Sequence, residues 1–166
     1  MGDHDQSGRT GVQDGAGRLT GWSISHELSA AELDRVYRWI SGQSYWAKGV
    51  PRTIFERAVE GAFCFVLRDG EGILRGFARV ITDRATFAYL ADVFVDPQSR
   101  GKGAGKTLIG AIMAHPDLQN LRRWMLSTRD AHSFYARFGF APLENPDRLM
   151  ARHDPDVYAR IAEGRR

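Results

Sequence analysis

Residues 86–95, Thr-Phe-Ala-Tyr-Leu-Ala-Asp-Val-Phe-Val, are apolar in both alternating registers of an extended chain. Phe87, Tyr89, Ala91 and Val93 fall on one face, and Ala88, Leu90 and Phe94 on the other. A strand whose two faces both avoid water lies inside a sheet that is covered on both sides. The one charge within it, Asp92, therefore needs either a partner or a function.

Elements of both periods surround this strand. A short strand is expected at Trp22–His26. Ser29-Ala-Ala-Glu32 is a capping-box pattern that opens a helix, and Leu33, Val36, Tyr37 and Ile40 recur on one helical face. A loop at 41–50 follows. Pro51 suits the first position of a second helix, with Ile54, Phe55, Ala58 and Val59 as its buried stripe and Gly61 as its end. Phe63–Leu67 and Ile73–Ile81 read as strands joined by a turn at 68–72, where Asp69-Gly70 supplies the positive φ. A helix running to about Ala114 carries Leu108, Ile109, Ile112 and Met113, and a strand is expected at Arg123–Thr128. A short helix over 130–138 ends at Gly139. Two last strands at 140–142 and 149–152 and a terminal helix over 156–163 complete an α/β domain with a mixed sheet.

The 166 residues suit one domain, taken here as 19–166. Residues 1–18 hold five glycines and almost nothing apolar, and are expected to be a disordered tail. That stretch lacks the basic and then apolar pattern of a signal peptide, and no run approaches the roughly 20 apolar residues of a membrane helix. Cys64 is the single cysteine, so no internal disulfide forms, and a reducing, cytoplasmic setting is expected. No membrane partner is expected. The net charge of +3 is carried mostly by arginine, with lysine only at 48, 102 and 106. The arginines are scattered and form no basic helix face, so a GC-rich coding sequence accounts for them better than a nucleic-acid partner does. The five histidines show no metal-ligand spacing, and no metal is expected.

The most informative segment follows the central strand: Asp96-Pro-Gln-Ser-Arg-Gly-Lys-Gly-Ala-Gly-Lys-Thr107. Alternating glycines between a strand and a helix let backbone N–H groups converge on an anion. The helix N-terminus adds roughly half a positive charge. Arg100, Lys102 and Lys106 strengthen the field. A nucleotide P-loop would require glycine where Arg100 stands, and a dinucleotide fingerprint would require it at Lys106. The pattern [RQ]-x-x-G-x-[GA] is met by Arg100-Gly101-Lys102-Gly103-Ala104-Gly105. With Phe134-Tyr-Ala-Arg-Phe-Gly-Phe140 downstream at the expected distance, the chain resembles the GNAT superfamily of N-acetyltransferases from about residue 22 to 152. Thr128 stands where many members carry an asparagine that helps hold the cofactor arm.

The resemblance implies a mixed, mostly antiparallel sheet of six to seven strands flanked by helices. It also implies acetyl-CoA as co-substrate and transfer of its acetyl group to an amine by direct attack in a ternary complex. The pyrophosphate would lie on Arg100, Gly101, Lys102, Gly103, Ala104, Gly105, Lys106 and Thr107. The pantetheine arm would enter where the strand ending at Val95 splays from the next one, against the backbone of Val93, Phe94 and Val95, with Thr128 nearby. Tyr135 is implied as the general acid, since a phenol with a pKa near 10 is protonated at neutral pH. Asp92 is the candidate base, a carboxylate whose pKa an apolar strand would raise; Glu56 and Asp83 are weaker alternatives. Tyr45, Trp46, Phe87 and Tyr89 are candidate walls of the acceptor site, with His132 at its rim and Asp130 capping the short helix. A small-molecule amine is the expected acceptor. A protein amine, or a module that binds acyl-CoA without turnover, remains the alternative, and homodimers are common in the family.

Overall fold

The computed structural model describes residues 11–13 and 19–164. Six strands form one sheet in sequence order: β1 (Gly11–Gln13), β2 (Leu19–Ser25), β3 (Phe63–Arg68), β4 (Leu74–Thr82), β5 (Phe87–Val95) and β6 (Arg123–Met125). The first five run antiparallel, and β6 lies parallel to β5. The parallel pair requires a crossover, which α3 (Ala104–Met113) supplies. The expected tail falls outside the described residues except for Gly11–Gln13, a strand that the sequence pattern alone does not mark. The expected strands at 140–142 and 149–152 are absent. These residues are solvent-exposed apart from Phe140, with Met150 at 99 %, so no buried face pins them to a sheet.

Two cores flank the sheet, as the doubly apolar β5 requires. Leu108, Ile109 and Ile112 of α3 pack on Phe65, Leu67, Val80 and Leu90. On the other face, α1 (Ala30–Arg38), the turn after it and α2 (Arg52–Glu60) cover Cys64, Val66, Phe77 and Phe94. Cys64 is buried there, and burial pushes its thiol up to about 11.

The capping box forms as the pattern predicts: Ser29 N–H donates to Glu32 at 2.8 Å, and Glu32 N–H to Ser29 Oγ at 3.3 Å. Glu32 also receives a bidentate Arg68, at 2.6 and 2.9 Å, which ties α1 to the end of β3. The Arg68 hydrogen bond holds the Glu32 carboxyl down to about 2, from an ordinary 4.5. A depressed carboxyl contributes stability above its unfolded pKa and loses it as pH falls through the folded one. Glu32→Gln should therefore lower the melting temperature at neutral pH and flatten the loss of stability between pH 4.5 and about 2. Melting curves across that range check both.

Three local details differ from the sequence pattern. Pro51 is extended (φ −62°, ψ 143°) and caps α2 from outside rather than opening it. In the 68–72 turn the positive φ belongs to Gly72, at 77°, while the Asp69 carboxylate gathers the N–H groups of Glu71 and Ile73. After α1 the chain widens into one π turn, Trp39–Gln43, before reaching Tyr45 and Trp46. Such turns are uncommon and concentrate at functional sites.

Candidate active site

Between Phe77 and Arg79 of β4, the facing strand β5 runs through one residue too many. Phe77 lies opposite Phe94, but Arg79 lies opposite Ala91. The extra residue is absorbed at Asp92, whose φ is +50°. This β-bulge shifts the phase of the strand. Val93 and Val95 join Leu90 on the α3 face, and Phe94 turns to the α1–α2 face. The alternation expected over 86–95 is therefore broken at Asp92.

β5 pairs with β6 only through Phe87, Ala88 and Tyr89. Beyond Tyr89 no strand among the described residues pairs with β5 on that side, and a cleft of about 1120 Å³ opens there. Asp92, Val93, Phe94, Val95 and Tyr135 all line it, as do Thr128 and Tyr89. Phe87 and His132 do not. Phe87 lies where β5 and β6 are still paired, and His132 is exposed at the start of α4 (His132–Ala136).

Asp92 does not stand alone in an apolar strand. Arg79 Nε donates to its Oδ2 at 2.5 Å, and Trp46 Nε1 to its Oδ1 at 2.9 Å. Arg79 also donates to the Ala58 carbonyl of α2 at 3.4 Å, so the pair faces the α1–α2 side. Tyr45, beside Trp46, accepts the Arg129 N–H at 2.9 Å, and the Arg129 guanidinium lies 4.1 Å above its ring. Tyr45 and Trp46 thus fasten the loop after the π turn to both sides of the cleft. Glu56 pairs with Arg52, and Asp83 collects the N–H groups of Ala85, Thr86 and Phe87. Neither reaches the cleft.

The glycine loop is set by its own residues and by a buried carboxylate. Asp96 caps the short 3₁₀ turn Pro97–Ser99 through the Gln98 N–H at 3.1 Å, and pairs with Arg35 at 2.9 Å and Arg75 at 3.3 Å. Gly101 and Gly103 take φ of 73° and 85°, and a Cβ on either would meet nothing within 4 Å. The space beside both glycines is open, with the N-terminus of α3 behind it. Gly105 serves close approach instead, since a Cβ there would sit 3.4 Å from the Phe134 ring. Arg100 folds back to donate to the Val95 carbonyl at 3.1 Å, and Lys106 lines the cleft. Lys102 does not; it borders a separate hollow of about 150 Å³ with Asp69 and Arg75. Ala104 is buried and Thr107 closes the first helical turn on the Gly103 carbonyl, so both shape the loop without lining the cleft.

On the opposite wall, Thr128 Oγ1 accepts the Ala131 N–H at 3.0 Å, the local turn-forming role expected of Asp130. Gly139, at φ 86°, ends the segment after α4. Tyr135 packs against Phe134 and Phe140, and burial, with Tyr45 and Asp130 adding to it, pushes its phenol up to about 12. Arg79, Gln43, Arg129 and Tyr158 also line the cleft and escape sequence reasoning. For Arg79 a signal exists: it is a lone charge in the otherwise apolar run Gly76–Ile81, just as Asp92 is in its own strand.

The geometry is an open glycine loop at a helix N-terminus, continuous with a slot between splayed parallel strands, and a phenol and a carboxylate on the slot's walls. Comparison with known proteins agrees with it. The acetyltransferase (GNAT) domain model matches residues 60–142, half of the chain. A solved structure from Xanthomonas campestris pv. campestris, assigned to the GNAT family, is 46% identical with a TM-score of 0.79, covering 83% of this chain and 96% of that one. A protein from Gibberella zeae assigned as an acetyltransferase is 26% identical over 133 residues, covering 69% of this chain and 75% of that protein. Glucosamine-6-phosphate N-acetyltransferase from Arabidopsis thaliana shares the fold at 18% identity, with a TM-score of 0.59 over 80% of this chain and 97% of that one. The chain belongs to the GNAT family of N-acetyltransferases.

Proposed function

We propose that the domain moves the acetyl group of acetyl-CoA to the primary amine of a small molecule, by direct attack with both substrates bound. The observation that carries this reading is the bulge at Asp92, because it lies where β5 leaves β6 and places a carboxylate beside the opened backbone. The cradle fits a pyrophosphate: Gly101 and Gly103 leave open space at a helix N-terminus, and Lys106 adds charge. Acetyl-CoA supplies the activated thioester. Backbone groups of Val93 and Phe94 on the side that β6 leaves uncovered would orient the arm and polarise the carbonyl, as fixed dipoles do at a developing oxyanion. The Val95 carbonyl already accepts from Arg100. The amine nitrogen bonds to the carbonyl carbon as the carbon–sulfur bond breaks. Tyr135 gives its phenolic proton to the departing sulfur. Asp92 takes the proton the amine loses, directly or through water; each of its oxygens keeps a lone pair beyond those used by Arg79 and Trp46.

Thiol release from acetyl-CoA should depend on added amine. Binding of acetyl-CoA with no release on any amine would leave a binding module instead. Asp92→Asn keeps the shape and an acceptor for Trp46, and should lower kcat/KM by roughly a hundredfold, the scale of general base catalysis. Acetyl-CoA affinity should be retained, as calorimetric titration would show. A parent-like kcat/KM would take the base role away from Asp92.

A further inference from the structure

We infer that the acceptor is a monoamine carried on an apolar body, and that the site turns polycations away. This rests on the acetyltransferase reading above and narrows its acceptor. The α1–α2 side of the cleft, beyond the Arg79–Asp92 pair, is walled by Ile40, Val50, Ile54, Phe55, Ala58 and Tyr158. These side chains come from the π turn, from α2 and its approach, and from α5 (Val157–Ala162), and all but Ala58 belong to or pack against one apolar cluster.

Charge decides between acceptor classes. Apart from Arg100 and Lys106, which belong to the proposed phosphate cradle, the charges along the cleft are two carboxylates, Asp92 and Asp130, and three cations, Arg79, Arg129 and Arg137. Asp92 is neutralised by Arg79, and Asp130 lies 3.9 Å from Arg129. Each carboxylate along the cleft already has an arginine beside it, and Arg137 stands there as a further cation, so a second ammonium group finds no anion without a cation next to it. A polyamine would have to strip water from its second cation against an apolar wall, which is strongly unfavourable without a paired anion. An alkyl or aryl body gains instead, because its apolar surface leaves water against that wall.

The test compares 2-phenylethylamine and hexylamine with putrescine and spermidine in the thiol-release assay at saturating acetyl-CoA. The apolar monoamines should lead in kcat/KM by on the order of a hundredfold, the scale of leaving one charged group unpaired. Ile54→Glu places a carboxylate in the half-buried wall and should bring the ratio to near one, or invert it, with acetyl-CoA affinity unchanged by titration. If that variant does not fold, Tyr158→Glu tests the same wall from the C-terminal helix. Spermidine turned over as well as 2-phenylethylamine overturns this inference and leaves the acetyltransferase reading standing. Failure to bind acetyl-CoA, or no thiol release with any amine, overturns both.

Discussion

Gly103→Asp should abolish acetyl-CoA binding while leaving the domain folded. The two halves of that expectation have separate causes. A Cβ at this position meets nothing within 4 Å, so the side chain enters open space and displaces no neighbour. The φ of 85° strains any residue with a Cβ, but aspartate and asparagine tolerate the left-handed region better than most. The loss of binding is electrostatic. A carboxylate would stand at the N-cap of α3, among the N–H groups proposed to receive the phosphates. Like charges about 4 Å apart repel by roughly 1 kcal/mol in water and about 4 kcal/mol at the lower effective dielectric of a protein surface. A pyrophosphate presents more than one such charge, so a fall in affinity of at least about a hundredfold is expected, by the usual 1.4 kcal/mol per decade. Gly103→Ala separates the causes: it carries the strain without the charge and should bind with only modest weakening. Calorimetric titration of both variants decides the matter. Near-parent affinity in Gly103→Asp would remove the loop from the cofactor site.

Tyr135→Phe should lower kcat by roughly a hundredfold or more, within the range that general acids contribute. The KM for acetyl-CoA should hardly move, because the ring and its packing on Phe134 and Phe140 survive the change. No hydrogen bond from the hydroxyl to another described residue is present, so its removal strands no partner, and melting should stay near that of the parent. The phenol, pushed up to about 12, stays protonated through neutral and mildly alkaline pH. The parent kcat should therefore show no loss from this group below about pH 10, two units under the pKa, where only about 1% of the phenol is ionised. An unchanged kcat in Tyr135→Phe at saturating substrate would reject the acid role.

Much of this site is written in short stretches of sequence. The cradle is legible because positive φ at Gly101 and Gly103 and the start of α3 are settled within a few residues. Tyr135 is legible for the same reason, fixed between a turn at Thr128 and a left-handed Gly139. What escapes depends on partners far along the chain. Asp92 reads as an isolated carboxylate until β4 brings Arg79 against it and the π turn delivers Trp46. The bulge has no glycine to announce it, so simple alternation puts Val93 on the wrong face. Lys102 follows the loop motif, yet its side chain leaves for the hollow beside Asp69. Phe87 is too early in β5 to see the cleft, which starts only where β6 lets go. The exposed residues around Met150 look strand-like, but they have no face to bury.

The extra residue in β5 also sets a limit on how this protein can be improved. Deleting it would restore regular pairing with β4, relieve a left-handed aspartate and give the sheet an ordinary twist. The same repair would keep Leu90, Val93 and Val95 in their present phase, but it would take away the carboxylate that Arg79 and Trp46 hold at the cleft. With Asp92 as the proposed base, selection for thermal robustness and selection for turnover pull on this one position in opposite directions, and a stabilised descendant with a perfect sheet should be an inert one.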